Sequence, residues 1–294
     1  MVCRTFIVFR PTVGRPVRQV VTPTIKWHRP DGLDRPDRAD PPDRPNPMQR
    51  NANLPVHTLT IAHRGAHSEP HNENTLEAHQ LAANDPTLDG SECDVRFDKG
   101  RRTLVVAHDE NLWESRGHNV KVSDYSAEDL VKDFNTPTLA SVVQLFANRP
   151  LKTLVIDYKT PTTQNTIDAI NQAEDLARAL QAACSIMHLV WHPDLVLSNQ
   201  DFRYPVYFVP AQVANVPAHL GKLVNHNYKG VSLSYGQLVQ LGDRVRLLGA
   251  IARAELGVNL YGKLVHVDEM QRALANHCPG VATSVTVDWR NLNF

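Results

Sequence analysis

Residues 61–109 read IAHRGAHSEPHNENTLEAHQLAANDPTLDGSECDVRFDKGRRTLVVAHD. Apolar, strand-like pieces in this stretch run into His63-Arg64, Glu92-x-Asp94 and His108-Asp109. The first piece, 57–61 (HTLTI), is a β-branched run entering Ala62-His63-Arg64-Gly65, the pattern of a buried strand closed by a turn. Asn74-Thr75-Leu76-Glu77 then reads as a helix start, with Asn74 as N-cap and Glu77 where the acid of a capping box reaches back. That helix is expected to run to Asn84 and stop at Asp85-Pro86, because a residue before proline is pushed out of the helical region. The segment 89–98 (DGSECDVRFD) reads as the next strand, and period two puts Glu92 and Asp94 on one face and Cys93 and Val95 on the other. Two carboxylates on one face call for a cation or a donor between them. Lys99-Gly100 then turns the chain into 103–107 (TLVVA), which delivers His108 and Asp109. So short a turn points to a hairpin beside the sheet and not to a strand–helix unit.

Outward from this stretch, 110–137 reads as an irregular excursion, followed by a helix over 139–147. The run 153–156 (TLVI) leads to Asp157-Tyr158-Lys159, with Asp157 and Lys159 on one face. A helix over 166–183 carries Ile167, Ile170, Ala173, Leu176 and Leu180 at helical spacing. Further strands are expected at 186–191, 206–209, 230–233, 258–261 and 281–287, with helices at 237–256 and 267–276. The tally is about eight strand–helix units plus one hairpin, which predicts an α/β chain closed into a TIM (β/α)8 barrel. Such barrels place their active sites at the C-terminal strand ends, where the polar groups of this sequence gather.

The chain has 294 residues, and a barrel takes roughly 250 of them. Residues 1–52 read as a disordered Pro/Arg/Asp-rich extension and 53–294 as the barrel. Up to Pro30 the extension has no acidic residue, and 29–47 repeats Arg-Pro-Asp-like units that offer almost nothing apolar to bury. A cytoplasmic location is expected, with a mitochondrial transit segment as the alternative and Met48 as a second possible start of translation. Lys+Arg and Asp+Glu both number 31, so no bulk field draws nucleic acid or anionic membrane. No apolar run approaches the ~18 residues of a membrane span. Cys3, Cys93, Cys184 and Cys278 form no C-x-x-C pair, which argues against a zinc knuckle and fits a reducing compartment.

Two imidazoles, an arginine and a set of carboxylates suit phosphate-ester cleavage assisted by a divalent metal. The bland readings stand beside this one. Fourteen histidines make some near any site a matter of chance, so His67, His71 and His118 are assigned to loops and His79 to helix packing. Glu92 and Asp94 can also be read, with less weight, as ion-pair partners of Arg64 or Lys159, and Asp157–Lys159 as an ordinary strand-end pair.

The residues HRG at 63–65, ENT at 73–75, E-x-D at 92–94, HD at 108–109, Pro-Thr-Leu at 137–139 and Asp157-x-Lys159 occur in an order and spacing that resembles the glycerophosphodiester phosphodiesterases, phospholipase C-like TIM barrels. The likeness spans about 57–294 and is strongest over 61–160. It implies a metal-dependent hydrolase of lipid and glycerol metabolism that takes a small-molecule glycerophosphodiester and yields glycerol 3-phosphate and an alcohol. It further implies His63 and His108 as acid and base, and Glu92, Asp94 and Asp157 as ligands of Mg2+ or Ca2+. Arg64 and Lys159 would hold the phosphate, and Glu73 would brace the arginine. A cyclic phosphate, formed by the neighbouring glycerol hydroxyl and opened by water, is implied as intermediate.

The sequence departs from that family in several places. Asp157 stands where glutamate is usual, so a metal must shift or a water must bridge. Leu112-Trp113-Glu114-Ser115-Arg116 replaces an Arg-Thr-Thr segment, Tyr261-Gly262-Lys263 a Trp-Thr segment, and Thr286-Val287-Asp288-Trp289 a terminal Thr-Asp. These departures motivate two alternatives. One is a lysophospholipase D-like hydrolase with Trp113, Trp191 and Tyr228 as an apolar landing surface. The other is an inactive barrel that binds phosphodiesters.

Overall fold

The computed structural model describes residues 58–67, 72–197, 202–263 and 266–288. The expectation of a disordered extension at 1–52 falls outside these residues.

The eight barrel strands are β1 (Leu59–Ala62), β2 (Gly90–Phe97), β4 (Thr153–Tyr158), β5 (Ser185–Val190), β6 (Val206–Phe208), β7 (Gly230–Ser234), β8 (Gly257–Lys263) and β9 (Thr283–Asp288). Each pairs in parallel with its neighbours, and β1 closes the ring by pairing with both β2 and β9. The expected hairpin is present: β3 (Leu104–Val106) runs antiparallel to the far end of β2. Its turn takes left-handed φ at Arg101 (52°) and not at Gly100, and Asp98 Oδ1 accepts from the N–H groups of Arg102 and Thr103.

Around the ring run α1 (Leu76–Asn84), α4 (Leu139–Phe146), α5 (Thr163–Ala179), α6 (Val216–Asn225), α7 (Tyr235–Gln240), α8 (Arg244–Arg253) and α9 (Val267–His277). The excursion is more ordered than its sequence suggests. It holds α2 (Trp113–Arg116) and α3 (Ala127–Phe134), and Val105, Ala107, Leu112, Val122 and Leu130 give it a small core of its own.

Period two along the strands separates two cores. Cys93, Val95, Leu154, Ile156 and Tyr158 face outward into the helix–sheet layer. Ile61, Val155, Met187, Leu189, Tyr207 and Val209 pack together in a second cluster inside the ring. Burying such aliphatic side chains contributes about 1.5–3 kcal/mol each. His79 lies buried in the outer layer, where its Nδ1 meets Ser91 Oγ at 2.8 Å, the helix packing expected of it.

Two helix readings need correction. Asn74 does not cap α1: Thr75 does, accepting from Ala78 N–H, while Asn74 takes φ 56° one residue earlier. Glu77 is then one position too early for a capping box. The single helix expected at 237–256 is two, because Leu241 is extended and Gly242-Asp243 follows, both poor helix formers.

Glycine is required where strands and side chains crowd. A Cβ at Gly90 would stand 1.9 Å from the Thr153 carbonyl oxygen, and one at Gly257 2.3 Å from the Tyr207 hydroxyl. Gly257→Ala is expected to cost about 1–3 kcal/mol by overpacking. Because a side chain is the main obstacle there, adding Tyr207→Leu should give a double variant that loses less than the sum of the singles in urea denaturation. At Gly90 the obstacle is backbone, so Gly90→Ala should show no such compensation with Tyr207→Leu. Equal additivity in both pairs would refute this packing account.

Candidate active site

The strand ends bring the predicted groups to one place. His63 and Arg64 directly follow β1, Glu92 and Asp94 lie in β2, Asp157 is the penultimate residue of β4 with Lys159 just beyond the strand, and His108 follows β3. Register explains the convergence: Asp94 and Asp157 are paired across β2–β4, and Ala62 pairs with Ser91, which sets His63 level with Glu92.

Glu92, Asp94 and Asp157 are all buried, and one oxygen from each lies within 4.8 Å of the others. Asp94 is held from two sides. Its Oδ1 is 3.1 Å from Lys159 Nζ, and its Oδ2 accepts from Asn74 Nδ2 at 2.9 Å and lies 3.1 Å from Arg64 Nε. Asp157 Oδ2 accepts from Lys159 Nζ and Oδ1 from Trp191 Nε1, both at 2.7 Å. Glu92 Oε2 accepts from the Arg64 backbone N–H at 2.9 Å and lies 3.9 Å from His63 Nε2. Arg64 Nη1 donates to both oxygens of Glu73 at 3.0 Å, the bracing expected from the sequence. His108 Nδ1 sits 2.8 Å from Asp109 Oδ1. Asp94 and Asp157 therefore both form ion pairs with Lys159, the alternative reading of these residues.

Arg64 (φ 56°) and Gly65 (φ 86°) both take left-handed backbone, and only this bend aims the Arg64 N–H at Glu92. A Cβ at Gly65 would also stand 2.6 Å from that of Ala78.

The electrostatics follow from burial and charge. Burial raises the Glu92 pKa well above the ordinary carboxylate value, and Asp94 and Asp157 raise it further. Burial would raise Asp94 too, but Lys159 and Arg64 override it and hold the group ionised. Asp157 is raised, by burial more than by Asp94, against the pull of Lys159. Burial and the Arg64 charge lower the His63 pKa, so its imidazole is neutral near pH 7. Glu73 balances Arg64, which leaves the carboxylates of Glu92, Asp94 and Asp157 facing the ammonium of Lys159. When all are ionised that is an excess of two negative charges, the deficit a divalent cation fills, and an all-oxygen donor set fits it.

Three residues have contacts at the site that the sequence reading did not assign to them. Asn74 is a clamp on Asp94 and not a helix cap, and Thr75 beside it was an equally good cap by residue type. Arg96 donates from Nε to the His108 carbonyl (3.0 Å) and from Nη1 to the Lys159 carbonyl (3.4 Å), tying the two strand ends together. Trp191 enters the site, and its place directly after β5 was the available signal. Tyr228, proposed as a landing aromatic, is buried with its hydroxyl on the His192 carbonyl, so it cannot serve at the mouth. A separate cavity of about 370 Å³ between α7, α8 and α9, lined by Tyr235, Arg244 and Arg272 among others, shares no residue with the site.

Glu92 yields a test. Its pKa is higher folded than unfolded, so its ionisation destabilises the metal-free protein. The cost is absent below the ordinary value of 4.5 and grows as pH rises toward the raised one. At pH 8 in EDTA, Glu92→Gln should melt above wild type by roughly 2–8 °C, the shift that about 1–2 kcal/mol gives a domain of this size. The difference should shrink toward pH 4.5, and added Mg2+ should raise the wild type more than the variant. A Glu92→Gln protein less stable than wild type in EDTA at pH 8 would contradict the repulsion.

The model of the glycerophosphoryl diester phosphodiesterase family matches residues 63–286. Among solved structures, the chain is similar to a glycerophosphodiester phosphodiesterase from Thermotoga maritima, at 19% identity and TM-score 0.60 over 80% of this chain and 96% of that one. It is also similar to an Oleispira antarctica phosphodiesterase in complex with the product sn-glycerol-3-phosphate, at 16% identity and TM-score 0.61 over 79% and 93%. A third likeness is to a glycerophosphodiester phosphodiesterase from Parabacteroides distasonis, at 16% identity and TM-score 0.58 over 79% and 92%. At these identities the structures establish the barrel fold. No curated protein matches the chain in sequence. Among the described residues no helix is long and apolar enough to cross a membrane. The family match runs from the end of β1 into β9 and takes in every strand end that builds the site, and the chain belongs to the glycerophosphoryl diester phosphodiesterase family of phosphoric diester hydrolases.

Proposed function

We propose that this protein hydrolyses glycerophosphodiesters to glycerol 3-phosphate and an alcohol, with His63 and His108 moving protons and a divalent cation held by Glu92, Asp94 and Asp157. The observation that carries the reading is the convergence of those carboxylates within 4.8 Å, next to Arg64 and Lys159. When bound, the cation supplies positive charge to offset that of the anionic diester. Carboxylate oxygens favour Mg2+ or Ca2+ over a softer metal.

The remaining roles belong to the chain itself. Arg64 is braced by Glu73 and presents a planar fork to the phosphate, and Lys159 adds a compact charge. His63, at the end of β1 with Nε2 3.9 Å from Glu92 Oε2, is placed beside the carboxylate cluster and is assigned the base that takes the proton of the attacking hydroxyl. His108 meets Asp109 Oδ1 through Nδ1, which fixes the ring and leaves Nε2 for the substrate, and this suits the acid that protonates the leaving alcohol. Attack by the neighbouring glycerol hydroxyl is intramolecular, so proximity lowers its barrier before water opens the cyclic phosphate.

An acyl-bearing lysolipid is the second substrate reading. It is favoured by Trp113, which is 61% exposed on α2, and by Trp191, which is 39% exposed.

Glycerol 3-phosphate release from glycerophosphocholine and glycerophosphoethanolamine is expected with Mg2+ or Ca2+ and is expected to vanish in EDTA. His63→Ala and His108→Ala should each lower kcat by about 10²–10⁴-fold. Faster turnover of lysophosphatidylcholine would favour the lysolipid reading. No product from any of the three substrates under either metal would sink the proposal.

A further inference from the structure

Trp191 stands one residue beyond β5, at the same barrel end as the acidic groups, and reaches over to the end of β4. Its indole N–H donates to Asp157 Oδ1 at 2.7 Å. Its ring face lies under Lys159 Nζ, 4.6 Å from the centroid. The same Nζ lies 2.7 Å from Asp157 Oδ2 and 3.1 Å from Asp94 Oδ1. Asp157 is thus held at both oxygens, by Trp191 on one side and Lys159 on the other. Lys159 is in turn held by two carboxylates and an aromatic face.

Core packing does not account for Trp191. It is 39% exposed and belongs to none of the apolar clusters among the described residues. What it does have is directional chemistry. An indole N–H can only donate, so it settles which Asp157 oxygen is engaged and which way the carboxylate plane turns. The ring face attracts an ammonium without taking up one of its N–H donors, which leaves the Lys159 donors for anions. Orientation of this kind matters most for a short ligand. Aspartate is the shortest carboxylate side chain, so Asp157 has little reach with which to correct a poor angle.

We propose that Trp191 is a positioning residue that orients Asp157 toward the metal and Lys159 toward the substrate phosphate. The inference rests on the proposed roles of Asp157 and Lys159. Groups that orient metal ligands typically change metal affinity by about 10–100-fold when removed.

Two substitutions separate the contacts. Trp191→Phe removes the N–H donor and keeps an aromatic face, and Trp191→Leu removes both. Titrating the full chain with Ca2+ and Mg2+ by calorimetry, Trp191→Phe should bind about 10-fold more weakly while its metal-free melting temperature stays near that of wild type. The KM for glycerophosphocholine should rise more in Trp191→Leu than in Trp191→Phe, because only the former loses the face under Lys159. In an Asp157→Asn background, Trp191→Phe should weaken metal binding no further, since it acts through that carboxylate. Wild-type affinity in Trp191→Phe, or an equal loss in both backgrounds, would overturn the role of Trp191 alone. No metal binding by the wild type would overturn the metal reading itself, and this role with it.

Discussion

The buried carboxylate of Asp94 is the point on which the barrel mouth depends. A buried charge is tolerated only when its oxygens are met by donors or cations. Asp94 is met by Asn74 from the loop after β1, by Arg64 from the strand-end turn of β1, and by Lys159 from beyond β4. Satisfying one carboxylate therefore ties three separate chain segments together. Each of those partners is itself committed elsewhere: Arg64 to Glu73, Lys159 to Asp157, and Asn74 through its N–H to the Arg64 carbonyl. Disturbing any of them leaves a charge exposed to a low-dielectric interior, so the site is held as a unit.

The hairpin and the excursion extend that unit outward. Arg96 carries the His108 and Lys159 carbonyls on one guanidinium. Arg116, from α2, donates to the Glu73 carbonyl at 2.8 Å. The segment 112–116, which departs from the family pattern, thus still reaches the residue that braces Arg64. The satellite core around Leu112, Val122 and Leu130 gives this excursion a fixed base. Backbone strain completes the arrangement. Arg64 sits at φ 56°, a conformation that costs an ordinary residue about 1–2 kcal/mol, and the hydrogen bond its amide gains at Glu92 offsets it; Asn74 takes the same φ, which an asparagine tolerates more readily.

Much of this was legible in the chain itself. Alternation along 89–98 placed Glu92 and Asp94 on one face, and the structure shows both buried at the site with Cys93 and Val95 in the outer layer. Eight strand-like runs and a tight hairpin turn predicted the closed parallel ring and β3. Such features are local: strand periodicity and turn chemistry are decided by residues adjacent in sequence. Helix boundaries were less secure. At Asn74-Thr75 two good capping residues sit side by side, and the choice went to Thr75 because Asp94, distant in sequence, claims Asn74.

The sequence by itself determined the barrel class, the family and the identity of the groups available at the strand ends. Tertiary structure decided how those groups meet. The strand register sets Asp94 opposite Asp157, the left-handed bend at Arg64 turns an amide toward Glu92, and the crossing from β5 brings Trp191 onto Asp157 and Lys159. The physical reason is the same in each case. Residue types and periods are properties of short segments, whereas the distance between charges on different strands exists only once the ring has closed.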